Sequence, residues 1–301
     1  MRVSHWALLI AVNLAFGLNL VATKFAVAAV PPLAFAAMRF ALVLLVLAPF
    51  LRWHRGQMLV LFIVGVLMGT LHFAFLTMGL ALADDVSTVA ILAQLGVPFA
   101  TLMSVVFLKE EIQWRRWLGI TMAFAGVMVI GFDPRVFNYG SAVILVTLAA
   151  AVAAGGLTLM KSRVRVNAFQ LQGWLAVVAC PTLALLSLVF ESGQSEAMTS
   201  MSMPVIGSLV FSALGASLLG HGGTFVLLRH YDLSLISPLL LLSTIFGIAG
   251  GVLILDDVVT GRMWLGGAVT LAGVLLITLR NRNRIAASPL DQPAVIKPRA
   301  E

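Results

Sequence analysis

Two histidines, His72 and His221, sit inside long apolar runs of a chain of 301 residues. An imidazole donates and accepts hydrogen bonds, so it suits an ammonium or a carboxylate group and can also carry a proton. It can equally be satisfied by a neighbouring backbone carbonyl, and the sequence leaves both readings open. Polar and aromatic residues recur at helical spacing around them. His72, Phe75 and Gly79 make one stripe; Gln94, Pro98 and Thr101 a second; Ser237, Leu241 and Thr244 a third; Asn13, Gly17, Leu20 and Lys24 a fourth. Pro98 and Pro238 each remove a backbone donor and free a carbonyl, and broken helices line many transport sites. His72, Phe75, Gln94, Pro98, Thr101, Asn13, His221, Ser237 and Thr244 are therefore the candidate substrate-binding residues. Asn19 lies on another face and reads as a packing residue. Lys24 either snorkels to the surface or holds a carboxylate. Arg39, deep in its run, needs a partner from a cavity or from backbone carbonyls.

What is missing narrows the chemistry. All twelve Asp and Glu residues fall in loops, at run ends or in the C-terminal segment. A pump driven by protons usually carries an intramembrane carboxylate, so facilitated movement down the substrate gradient is the simpler expectation. No glycine loop for phosphate, no nucleophile with its base and no metal-ligand spacing appears, so neither a metal nor another cofactor is expected, and ATP hydrolysis by this chain is not. Cys180 stands alone and mid-run, and reads as a packed thiol.

The elements that hold these residues must be membrane helices. Hydrophobic residues make up 61% of the chain and charged ones 10%, against about 25% charged in a soluble domain. Runs of 18 or more apolar residues recur, each enough to cross a ~30 Å hydrocarbon core, where only helices or closed barrels satisfy the backbone. The net charge of +7 is carried between the runs, where lipid headgroups and not nucleic acid are the expected partner. Ten spans result: about 4–28, 33–51, 58–82, 86–108, 114–131, 138–160, 168–190, 203–228, 233–255 and 262–280. The first is too long and too polar for a cleaved signal peptide. Alternating the spans puts Arg2, Arg52, Arg55, Lys109, Arg115, Arg116, Lys161, Arg163, Arg165, Arg229, Arg280, Arg282, Arg284, Lys297 and Arg299 on one side. Only Arg135 and Arg262 fall on the other, which predicts both termini in the cytoplasm.

The chain also repeats itself. Shifted by 147 residues, Asp85–Ile130 lies on Asp232–Ile277 without a gap, and Asp85, Ser87, Leu92, Phe99, Leu108, Trp117, Gly119, Gly126 and Ile130 meet identical residues. Five spans per half is an odd number, so the second half must run through the membrane inverted. That explains why FLKEEIQWRRWLG (107–119) and ILDDVVTGRMWLG (254–266) share a frame but not charges: packing keeps the frame, and charge sets which side each loop faces. The expected architecture is an all-α polytopic membrane protein, ten helices in two inverted five-helix repeats around a central cavity. Repeat one covers 1–132, repeat two 133–280, and 281–301 is a disordered cytoplasmic tail.

Phe16-Gly17-Leu18-Asn19, Lys24, Pro31-Pro32 and Met38-Arg39-Phe40 resemble the opening of an EamA domain of the drug/metabolite transporter superfamily. Leu108-Lys109-Glu110, Trp117-Leu118-Gly119 and Ala125-Gly126-Val127 carry the same resemblance, which spans about residues 4–280 as two such domains. Phe16 departs from it, a tryptophan being common there, and the opening of the second half, Ala149 to Lys161, follows the pattern less closely. The resemblance implies ten helices around a cavity, alternating access and export of amino acids or related metabolites, most like the bacterial aromatic amino acid exporters. The expected protein is thus an inner-membrane exporter of small molecules and not an enzyme, with lipids and substrate as its partners and the oligomeric state left open. A multidrug exporter and an intramembrane lipid-modifying enzyme are the alternatives; the second lacks clustered His, Asp and Glu at a membrane edge.

Overall fold

Charged or proline-rich breaks between apolar runs set where helices start and stop. A computed structural model describes residues 2–109, 113–231, 236 and 239–278. The predicted tail 281–301 and the candidate Ser237, with Pro238, lie outside the described residues. The ten predicted spans appear as ten helices: α1 Val3–Val27, α2 Pro32–Leu47, α3 Met58–Leu82, α4 Val86–Phe107, α5 Trp114–Gly131, α6 Gly140–Arg163, α7 Ala168–Phe190, α8 Met203–Thr224, α9 Leu242–Ile254 and α10 Gly261–Thr278. Eight of them are long and apolar enough to cross a membrane. The exceptions are α5, which opens on Arg115 and Arg116, and α9, 13 residues long as described.

Local chemistry fixes the ends. Pro32 opens α2 at a position where its missing N–H costs nothing. The first turn of that helix is capped from the second repeat, Glu191 accepting from Leu33 N (2.8 Å) and Ala34 N (3.1 Å). Asp85 caps α4 through Thr88 N at 2.6 Å, and Asn167 caps α7 through Gln170 N at 2.9 Å.

The inversion is visible in how α5 meets α10. A Cβ on Gly119 would stand 2.7 Å from Gly273 O, and one on Gly126 2.5 Å from Gly266 O. Gly266 and Gly273 are the repeat counterparts of Gly119 and Gly126, so the early glycine of each copy meets the late glycine of the other. That crosswise pairing is what a two-fold axis produces, and it makes the helices antiparallel. Glycine is required because the backbones touch. Gly17 of α1 lies likewise against Ser243 O of α9 (2.5 Å from a built Cβ), which accounts for one glycine of the opening motif.

Candidate functional site

Helix breaks occur in matching places. Within α4 a 3₁₀ turn spans Ala93–Leu95, just ahead of the buried Pro98. At the start of α9, Ser243 N and Thr244 N reach back three residues to Leu240 O and Leu241 O, each at 3.1 Å. These turns are repeat counterparts, and they meet: Gln94 Nε2 donates to Thr244 Oγ1 at 2.6 Å. Two residues selected from different stripes of the sequence thus form one contact across the repeats. Thr101 donates its hydroxyl to Val97 O (2.9 Å) in its own helix, just after the kink.

A second pair of irregularities was not legible from periodicity. The middle of α3 is π-helical over Gly65–Leu71, and that of α8 over Phe211–His221, again at corresponding positions. Such segments concentrate at functional sites. Each delivers a histidine: His72 follows the first directly, and His221 closes the second. His72 Nδ1 lies 3.0 Å from Ala149 O of α6. A carbonyl only accepts, so Nδ1 carries the proton and Nε2 presents a lone pair. The ring stands edge-on to Phe73, centroids 4.8 Å apart. His221 packs edge-to-face on Phe16 of α1 at 5.1 Å, and Gly220 lies so close to the Phe16 ring that a Cβ would stand 2.6 Å from it. Phe16, one of the departures from the family resemblance, thus supports one of the two histidines.

Near both histidines stands a residue that the candidate set omitted. Arg39 of α2 is only 4% exposed, its guanidinium 4.5 Å from the Phe73 centroid, with Nη2 donating to Ser217 Oγ at 3.2 Å. It lies within electrostatic reach of both His72 and His221, and these two are within reach of each other. The signal in the sequence was an arginine in mid-run with no acid a turn away. Other candidates fall elsewhere. Asn13 is fully buried; its Nδ2 donates to Leu9 O at 2.8 Å in its own helix, and its Oδ1 has no hydrogen-bond partner among the described residues. Phe75 packs half-buried against the main core. Lys24, half-buried, donates to Leu80 O (3.0 Å) and to Ala83 O, closing the C-terminal end of α3.

The bundle end opposite the N-terminus is laced together. Asp257, in the α9–α10 loop, accepts three hydrogen bonds on one oxygen: Val86 N (2.9 Å), Ser87 N (2.9 Å) and Ser87 Oγ (2.8 Å). Tyr139 donates to Asp85 beside it. Burial pushes the Asp85 carboxyl up despite the Tyr139 and Thr88 hydrogen bonds, and burial together with Asp85 pushes the Tyr139 phenol far up as well. A cavity of about 340 Å³ opens there, lined by Asp84, Arg135, Asn138 and Met263 among others. Thr260 Oγ1 donates to Asp133 at 2.5 Å, which holds that carboxyl below its usual range.

The sequence matches the EamA-like transporter family twice, over residues 5–132 and 140–279. The chain belongs to that family. It is therefore a membrane transporter, which sets aside the intramembrane enzyme. A relative in Escherichia coli K12, named "Probable amino-acid metabolite efflux pump", is 26% identical over 269 residues, 87% of this chain and 90% of that protein. Its namesake in Salmonella typhimurium is 27% identical over the same length. A protein of Archaeoglobus fulgidus named "Uncharacterized transporter" is 27% identical over 282 residues, 90% of this chain and 98% of its own. A crystal structure with 19% sequence identity superposes with a TM-score of 0.61, covering 93% of this chain and 98% of the other, which speaks to the fold alone.

Proposed function

We propose that this EamA-family transporter exports amino acids and related small metabolites across the bacterial inner membrane by alternating access, facilitatively. The observation that carries the reading is the Gln94–Thr244 contact, where broken helices of opposite repeats meet in mid-bundle. A site built at that break can pass its substrate from one side to the other as the repeats rock, because each repeat contributes half. The two efflux-pump relatives support the substrate class. His72 supports it chemically: its Nε2 lone pair accepts from an ammonium group. No acidic residue lies within the described part of any span except at its ends, which supports movement without proton coupling. The bias of basic residues supports cytoplasmic termini and, with them, an outward-facing laced end.

The test is counterflow in proteoliposomes, loaded with one unlabelled amino acid and offered a labelled panel, with no ion gradient. Saturable accumulation of several amino acids, unchanged by an imposed pH gradient, is the expected result. Uphill movement driven by protons overturns the facilitative part. Transport of apolar drugs but of no amino acid overturns the substrate class.

A further inference from the structure

The Arg39–Ser217 contact has a counterpart that shows what packing alone needs. Ser217 is the repeat mate of Thr70, 147 residues earlier, and both lie in the π-helical segments. Thr70 meets helix α7 through Thr182, hydroxyl to hydroxyl, at 2.6 Å. Ser217 meets helix α2 through a guanidinium. The same helix contact therefore closes in one repeat with two neutral side chains and in the other with a full positive charge. The charge is an addition that the architecture does not require.

It is also an expensive one. A buried cation costs several kcal/mol unless an anion offsets it. Arg39 is 4% exposed, no carboxylate among the described residues offsets its burial, and its Nε has no hydrogen-bond partner among them. Phe73 covers the guanidinium at 4.5 Å and Phe40 lies at 6.0 Å, so the unused donor is on the edge. Nε and Nη2 share one edge of a guanidinium, the edge that takes a carboxylate in two parallel hydrogen bonds. Nη2 is held at present only by a hydroxyl at 3.2 Å, a long bond that can yield.

We infer that Arg39 is the anchor for the carboxylate of the transported substrate, its two oxygens taken by Nε and Nη2, with the Ser217 hydroxyl turned to donate to the same group. The inference rests on the transport reading above and deepens it. His72 and His221 flank the anchor and add donors or acceptors for the rest of the molecule. The site takes carboxylates, rejects their amides and esters, and repels cationic drugs.

The experiment uses the full chain in proteoliposomes and compares a neutral amino acid with its amide, and a 2-oxo acid with its methyl ester. Charged hydrogen bonds of this kind predict that wild type prefers each acid about tenfold to a hundredfold. Arg39→Gln brings both ratios to within about twofold of one, and Arg39→Lys, which keeps charge without the fork, falls between. Where Arg39→Gln does not fold, Arg39→Lys and Ser217→Ala decide: each must lower the ratio at least about threefold by the same argument. A folded variant whose acid-to-amide ratio equals that of wild type, or a wild type without preference, overturns the inference. Transport of amino acids with no acid preference leaves the amino-acid reading standing without the anchor. Arg39-dependent transport of the 2-oxo acid alone leaves the anchor standing without the amino-acid reading.

Discussion

Removing the Asp257 carboxylate should unlatch one end of the transporter. Its single oxygen accepts from Val86 N, Ser87 N and Ser87 Oγ, at the N-terminal end of α4, where the helix dipole favours a negative charge. Hydrogen bonds to a charged group contribute about 1.5–3 kcal/mol each, but three sharing one oxygen do not add, so about 2–4 kcal/mol is the reasonable total. Asp257 belongs to the second repeat and α4 to the first, so the latch must break whenever this end opens. Asp257→Ala should shift the closed-to-open equilibrium by roughly 30- to 700-fold, at 1.4 kcal/mol per factor of ten. Gly251→Ala should act the same way, because a Cβ there would stand 2.2 Å from the Asp257 carboxylate. Asp257→Asn keeps an accepting oxygen and should shift the balance by about tenfold or less. The assay is labelling of Met263→Cys by an impermeant maleimide from outside the cell, with Cys180, the chain's one cysteine, replaced by serine. Met263 lines the cavity at this end and is 1% exposed, so it reacts only when the end opens. Equal labelling rates in Asp257→Ala and wild type, with the variant folded, would refute the latch.

Three further outcomes follow from the same geometry. Gly126→Ala should cost about 1–3 kcal/mol in reversible SDS unfolding, since its Cβ would meet backbone at 2.5 Å, whereas Gly207→Ala, with nothing within 4 Å, should be neutral or stabilising. His72→Leu should lower kcat/KM about tenfold or more in counterflow while the melting temperature moves little, because the bond to Ala149 O carries only about 1 kcal/mol. Thr260→Val should destabilise by about 1.5–3 kcal/mol at neutral pH, the net value of a hydrogen bond to a charged group. Asp133 is held low in the folded state, so that stabilisation is present above the unfolded carboxyl range and is lost as pH falls through the folded value. Melting temperatures of the variant and wild type should therefore converge below about pH 4.

The helices were legible because membrane helices announce themselves by length and composition; that Gly119 and Gly126 meet Gly273 and Gly266 across the repeats came from the structure. Gln94 and Thr244 were legible as polar residues beside prolines, although which would meet which was not. At Asn13 and Thr101 the sequence showed a polar side chain on a plausible face, but not that each donates to a backbone carbonyl of its own helix. It said little about Arg39, since the worth of a buried charge depends on neighbours supplied by two other helices, α3 and α8. The π-helical segments were invisible, as Gly65–Leu71 reads like any apolar helix until α6 and α7 pack around it. The Asp257 latch was hidden because it is a tertiary capping contact, made 170 residues away.

The crosswise glycine pairing of α5 and α10 also bears on ancestry. A surface whose early residue meets the late residue of its mate is self-complementary, so it would serve equally well between two separate copies of one five-helix chain. Such a chain needs only to enter the membrane in both directions, which loops of balanced charge permit. Fusing two copies removes that need, and each half is then free to specialise. Lys109 and Asp256, occupying one position of the frame with opposite charge, are the trace of that division of labour. Arg39 and Leu186, its counterpart in the second half, differ in the same way.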